Sequence, residues 1–505
     1  MRNSLSLAVV CRGIANLGAV VTAFISLQLY NVYLTKEIYG AVLVAVQLLT
    51  YLPLVSGGFG MVLGQQMLSN QDPKQIAKSA RFAQILQSHI LVVALVAALS
   101  LMAIYSQTST ARSMGLPATL FLAVGLAGAI SFYAGGQFGM LTALRRQIYT
   151  IIMAGLWSLS TVFVLWLAFL GGLGVWAMPI ATGLGAALLL PVAWILQRRL
   201  LPGLPILSWQ RDADFWPKLK AIWIPSLHWL VCQFSIMCLF TMDIILMGLL
   251  FGPGAAAVYG VVSRVTTMSR QVIQTLCDTS WPKLTEEPDL LRKAALMRKV
   301  DRLNAWIAGS WHGALLATVQ PFLGWLMRSH PDWVAGSLLI WLMVARNLIE
   351  VLSAPHSYGL LSEGRFKEIA RATQIEIVLC ILAVLVLSHF FGIIGFALGV
   401  LIATVGGSLW YLTYLYFIQP HKSSWFSEWC AVYARGLTSA VLAFAVASLG
   451  WWAEKVLLGA PGWAAMIAGG LGLAAGMGAA YIYGTAQSGG HTRSLGGWIK
   501  LPTTW

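Results

Sequence analysis

Apolar residues run along the chain in long blocks parted by short polar interruptions, and a membrane-spanning α-helix needs about 20 mostly apolar residues. Fourteen blocks reach that length, near residues 5–34, 39–67, 84–106, 118–143, 148–170, 173–197, 221–250, 254–284, 304–327, 333–361, 366–390, 392–418, 433–453 and 461–484. The pattern predicts an all-α polytopic membrane protein with about 14 transmembrane helices. Prolines interrupt several blocks (Pro53, Pro179, Pro321, Pro355), which spans tolerate where neighbours or water satisfy the freed backbone groups. The first block is too long for a signal-peptide core and no small-residue cleavage site precedes the second, so it reads as a retained first helix.

Composition agrees with that pattern. Of 505 residues, 58% are hydrophobic and 10% charged, too few polar groups to cover a water-soluble globule of this size. The formal charge of +15 raises nucleic acid as a partner, but the basic residues lie in small groups between spans, where topology explains them better. With the N-terminus cytoplasmic, 24 of the 32 Lys and Arg fall in cytoplasmic segments. Only Lys36, Arg112, Arg328 and Lys455 fall outside, and Arg12, Arg264, Arg270 and Arg346 fall within spans. One missed helix in mid-chain would swap every later loop and erase this bias, so both termini are expected on the cytoplasmic side.

Two lobes are legible as a repeat. Tyr39-Gly40 recurs as Tyr259-Gly260, and "GMLTALRRQ" around Arg145 recurs at the same offset as "GLLSEGRFK" around Arg365. With a slip of one or two residues, "GLGVWAMPIAT" ending at Thr182 matches "GIIGFALGVLIAT" ending at Thr404. The expected organisation is an N-terminal lobe of six helices (1–197), a basic linker (198–220), a homologous six-helix C-terminal lobe (221–418), two further helices (433–484) and a cytoplasmic tail (485–505). An even number of helices per lobe relates the lobes by an axis along the membrane normal.

The chemistry sits inside the spans. On a helix advancing about 100° per residue, Arg264, Thr267, Arg270, Gln271, Gln274 and Asp278 share one arc of the eighth span with Ser263, while Val262, Val265, Met268, Val272, Ile273 and Leu276 take the other side. An arginine at the centre of a span costs about 2.5–3.5 kcal/mol, so this stripe faces protein or water. Two readings stand: a water-filled cavity, or a buried seam in which Arg270 and Asp278 neutralise each other through neighbouring helices. Asp243 in the seventh span suits either a structural pair with an eighth-span arginine or a coupling role, and His228 reads as a hydrogen-bonded packing residue. In the tenth span Arg346 and Glu350, four apart, fit an internal ion pair beside Asn347, with Pro355 one turn on as a hinge. Arg12 and Asn16, four apart in the first span, suit either the same cavity or, for Arg12, snorkelling to the interface.

The six cysteines form no CxxC pair or His/Cys cluster, so no disulfide framework, metal or cofactor is expected. There is no GxxxxGK[ST] phosphate loop. No outer segment gathers acids, histidines or nucleophiles, which argues against a membrane glycosyltransferase, polymerase or ligase and against an enzyme generally.

"YLTKEIYGAVLVAVQLLTYLPLVSGGFGMVLGQQML" and "TMDIILMGLLFGPGAAAVYGVVSR" resemble the lobe openings of polysaccharide-transporter flippases, within the multidrug/oligosaccharidyl-lipid/polysaccharide exporter superfamily. Asp243, Gly252, Tyr259 and Arg264 fall on recurring positions. The resemblance implies two lobes around an alternately opening cavity in the bacterial inner (cytoplasmic) membrane. Through it a lipid-linked oligosaccharide would cross to the periplasmic leaflet for O-antigen, capsule or exopolysaccharide synthesis, beside partners such as a polysaccharide polymerase and with no nucleic acid. In the lipid II branch, arginines of the first and eighth helices line that cavity, which points to Arg12 and Arg264. The first span here holds no acidic residue, so a carboxylate–arginine cluster there is absent. A pyrophosphate suits arginine's forked donors and sugar hydroxyls suit Thr267, Gln271, Gln274 and Asn16, with Asp243, Asp278, Arg346 and Glu350 left for ion coupling or gating. A cation-coupled multidrug exporter and a lipid II flippase are the alternatives.

Overall fold

The computed structural model describes residues 5–487 apart from 71, 109–110, 113–114, 211–213, 288, 329–330, 418–424 and 459–463, and some helical side chains, Gln271, Gln274 and Asp278 among them, lie outside the described set. Regular structure among the described residues is helical throughout. It comprises α1 (Leu5–Tyr33), α2 (Lys36–Leu49), α3 (Phe59–Ser69), α4 (Pro73–Ser106), α5 (Ala118–Ala143), α6 (Gln147–Leu170), α7 (Ala177–Ala187), α8 (Leu190–Leu200), α9 (Phe215–Phe251), α10 (Pro253–Glu286), α11 (Leu290–Leu326), α12 (Ser337–Ser362), α13 (Phe366–Thr404), α14 (Thr413–Phe417), α15 (Trp425–Leu458) and α16 (Ala464–Gln487). A π-helical segment, Val405–Leu412, joins α13 to α14. Nine stretches among the described residues are long and apolar enough to cross a membrane.

Local chemistry sets the boundaries. The Asp72 side chain accepts from the Lys74 N–H (2.9 Å) and Pro73 takes the first helical position, so α4 starts where its free donors are satisfied. The second apolar block breaks as expected at Pro53, into α2, a 3-10 turn over Leu52–Ser56, and α3. Pro321 and Pro355 do not break their helices, since α11 and α12 run through them. The hinge expected at Pro355 is therefore absent as a break. Single residues separate two pairs of crossings. Gly252 (φ 87°) parts α9 from α10, and Gly392 (φ 57°) folds α13 back on itself within the long apolar stretch Phe366–Leu415.

By packing, the chain divides into two units: Ile14–Gly260, and Val261–Trp505 together with Met1–Gly13. In the first, α5 packs on α4, α6 and α7, and α9 packs on α2 and α3. A buried glutamine cluster ties the 204–208 stretch to it. Gln84 donates to Gln137 Oε1 and to the Ile206 carbonyl, Gln197 Nε2 donates to the Gln137 carbonyl (2.8 Å), and Ser208 N donates to Ser88 Oγ (3.1 Å). The outward faces are apolar, as on α6 with Leu156, Leu159, Phe163 and Trp166 exposed, which suits hydrocarbon surroundings.

In the second unit α11, α15 and α16 pack mutually, and α12 lies against α11 and α13. Small residues set this spacing. A Cβ on Gly313 would lie 2.0 Å from the Ala440 carbonyl oxygen, and one on Gly309 equally close to that of Gly436, so two small residues four apart on α11 receive two on α15. Lys293 Nζ donates to the Ser362 carbonyl at the end of α12 (3.2 Å). Burial lowers that ammonium's pKa from its ordinary value, and Glu363 and Glu287 oppose the shift.

The repeat read from sequence has a structural counterpart. After α5, Arg146 N bonds the Leu141 carbonyl (2.9 Å) with Arg145 left-handed (φ 60°). After α12, Arg365 N bonds the Leu360 carbonyl (3.0 Å) with Gly364 left-handed (φ 71°). Arg145 holds a conformation that costs a side-chain-bearing residue about 1–2 kcal/mol. Its guanidinium gives the return, donating to the Leu68 and Asn70 carbonyls (2.8 and 2.9 Å) at the end of α3. Arg145→Ala is expected to destabilise by about 1–2 kcal/mol, and Arg145→Gly by less because it relieves the left-handed strain. Thermal unfolding of the two purified variants checks the order.

Candidate functional site

The buried charges of the second unit converge from three helices. Arg346 and Glu350 lie one turn apart on α12, and Arg346 Nε donates to Glu350 Oε1 at 2.8 Å, the internal pair that their spacing predicts. Arg270 reaches the same carboxylate from α10, its Nη1 donating to Glu350 Oε2 at 3.2 Å. Each oxygen of Glu350 thus takes one guanidinium. The side chains of Arg346 and Glu350 are 8% and 5% exposed and that of Arg270 14%, so Arg270 is both the looser and the more accessible partner. Asn347 turns away, donating from Nδ2 to the Met343 carbonyl (2.9 Å).

A second carboxylate borders this cluster. Glu376 of α13 is 2% exposed, accepts from Ser408 Oγ of the π-helical segment (2.6 Å), and is electrostatically coupled to Glu350 and Arg346. The sequence carried one signal for it, a lone acid in the apolar run "IEIVLC". The π-helical segment that presents Ser408 left no comparable signature.

The other expected site residues are placed as follows. Arg264 and Thr267 are half-buried on α10. The side chains of Gln271, Gln274 and Asp278 lie outside the described residues, and with them the expected pairing of Asp278 with Arg270. Arg12 and Asn16 are half-buried and fall in different packing units. Thr266 bonds back to its own helix at the Val262 and Ser263 carbonyls (3.2 and 3.1 Å), as a hydroxyl on the apolar side should.

Asp243 lies in the first unit, 7% exposed, and its Oδ2 accepts the Tyr259 hydroxyl at 3.0 Å across the Gly252 turn. Nearby, a Cβ on Gly40 would sit 2.0 Å from the Pro253 carbonyl oxygen, so the first Tyr-Gly pair admits the start of α10 against α2. His228 is exposed rather than packed. It shares its stretch of α9 with exposed Trp223, Ile224, Leu227 and Val231, a helix apolar on most sides whose sequence marks no buried face.

No protein-family model and no curated protein sequence matches the chain. Solved structures do. The lipid II flippase MurJ, in an inward closed conformation, is similar over 95% of this chain and 100% of its own, at 11% identity and a TM-score of 0.69. The eukaryotic MATE transporter AtDTX14 is similar over 85% and 98%, at 13% identity and 0.61. A MOP superfamily transporter from Pyrococcus furiosus, described as having a binding pocket of reversed polarity, is similar over 82% and 97%, at 13% identity and 0.61. A multi-pass helical chain that matches these proteins from end to end has the fold of the MOP exporter superfamily.

Proposed function

We propose that the protein is a flippase that moves a polyprenyl-pyrophosphate-linked oligosaccharide from the cytoplasmic to the periplasmic leaflet of a bacterial inner membrane, for surface polysaccharide assembly. The observation that carries this reading is the sharing of Glu350 by two arginines. A carboxylate already held by Arg346 at 2.8 Å keeps a partner if Arg270, at 3.2 Å, leaves it. Arg270 is therefore a cation stored against an exchangeable anion. An arriving pyrophosphate offers more charge and more acceptor oxygens than one shared carboxylate oxygen, and a guanidinium matches it with paired donors. Arg264 on the same helix adds a second cation, and Thr267, Gln271 and Gln274 supply partners for sugar hydroxyls. The fold shared with a lipid II flippase supports a lipid-linked cargo, and a polysaccharide polymerase is the natural downstream partner.

The test is export of surface glycan by Arg270→Lys and Arg270→Gln variants at equal membrane abundance. Lysine is expected to keep a measurable part of export and glutamine to lose about tenfold or more, the loss of one charge-assisted contact. Full export by both variants would sink the anion-site reading. A cation-coupled multidrug exporter is the second reading. It is favoured by the likeness to a MATE transporter and by buried Asp243 and Glu376, and drug resistance without glycan loss in the same variants would support it.

A further inference from the structure

A second titratable cluster lies in the Val261–Trp505 unit, apart from the Arg270–Glu350–Arg346 group. His356, fully buried on α12, has Nδ1 3.2 Å from Thr413 Oγ1 and Nε2 3.8 Å from Asp301 Oδ1 on α11. Thr413 Oγ1 in turn donates to the Ser408 carbonyl (3.3 Å) and lies 3.4 Å from the Tyr433 hydroxyl of α15. These contacts fix the tautomer. With its own proton committed to Ser408, the threonine oxygen is an acceptor toward the imidazole, so Nδ1 carries the ring proton. Nε2 then presents a lone pair to a carboxylate, two acceptors face to face, which accounts for a gap wider than a hydrogen bond.

We propose that His356 and Asp301 form a proton-binding site, in which a proton added at Nε2 converts this stand-off into a charge-assisted hydrogen bond that draws α11 onto α12. The proton enters between two atoms already aimed at each other, and the product is an imidazolium–carboxylate pair. Access is short, since Asp301 is 5% exposed and lies one turn after exposed Arg298 at the polar start of α11. The groups facing the imidazole are Asp301 from α11, Thr413 from α14 and, through Thr413, Tyr433 from α15. Glu376 of α13 follows two links further, because Ser408 takes the Thr413 proton on its carbonyl and donates its own hydroxyl to Glu376. A change at His356 therefore has a hydrogen-bonded route to the carboxylate that borders the arginine cluster. Coupling this route to cargo movement rests on the flippase reading; the proton site itself does not.

The experiment is NMR of full-length protein carrying 15N-histidine, with His356→Gln used to assign the His356 ring signals. Between about pH 8 and about pH 5, His356 is expected to pass from the Nδ1-protonated neutral ring to the doubly protonated ring. Asp301→Asn is expected to lose the doubly protonated signal over the same range while the other histidine signals stay in place, which shows that the variant is folded. A His356 ring that stays neutral throughout, or one that protonates alike in wild type and Asp301→Asn, overturns the site. Both readouts hold whatever the protein transports.

Discussion

Glu350→Ala is expected to destabilise the second unit by about 3–5 kcal/mol, because removing one partner of a buried ion pair leaves charge uncompensated, and here it strands two guanidiniums at once. The contacts are 2.8 and 3.2 Å and no side chain in the trio is more than 14% exposed, so solvent screening offsets little of the loss. Glu350→Gln is expected to fall between, since its carbonyl oxygen still accepts from one arginine. A triple replacement, Arg270→Leu with Arg346→Leu and Glu350→Leu, is expected to recover much of the stability while abolishing export, as apolar side chains of similar volume remove the desolvation cost along with the pairing. Thermal midpoints of the purified variants, read beside glycan export, separate the two effects. If Glu350→Ala unfolds no earlier than wild type, Glu350 is not the anchor of this cluster.

Gly313→Leu is expected to disrupt packing of α15 on α11 with a loss of about 3 kcal/mol or more, at the upper end of what overpacking costs. Even a methyl group there would lie 2.0 Å from the Ala440 carbonyl oxygen, 2.7 Å from its carbonyl carbon and 2.7 Å from its Cα. All three are backbone atoms, so no rotamer change relieves the contact and the helices must separate. Gly324→Leu on the same helix is the control, because nothing lies within 4 Å of a Cβ there. Lower membrane abundance and a broadened size-exclusion profile for the first variant, with a normal control, are the expected results. Equal behaviour of the two would mean that the α11–α15 contact is not limiting.

The sequence reading reached the spans more fully than the site. Apolar block length is a local property, and it placed breaks near Gly252 and Gly392 where single residues end the helices. Arg346 and Glu350 were legible as a pair because four residues make one helical turn. Arg270 and Glu350 were not, since 80 positions separate them and nothing on α10 specifies which helix it meets. Asp243 and Tyr259 are 16 apart, and their meeting follows only once Gly252 is known to reverse the chain. "GSWHG" at Gly309–Gly313 was readable as a small-residue helix contact, but its partner on α15 was not. His228 misled because an apolar surrounding reads the same for a helix facing protein as for one facing lipid.

The single-residue reversals at Gly252 and Gly392 bear on how the protein is made. Across Gly392 the two halves of α13 lie back to back: a Cβ on Gly395 would meet the Leu387 carbonyl oxygen and one on Gly399 the Val384 nitrogen. Neither half has a polar segment of its own at that end to rest in water while the other is synthesised. Insertion must therefore treat Phe366–Leu415 as one object, released into the bilayer as a closed hairpin rather than as two helices in turn. On that side of the membrane these turns leave almost nothing for a protease or a binding partner to grip.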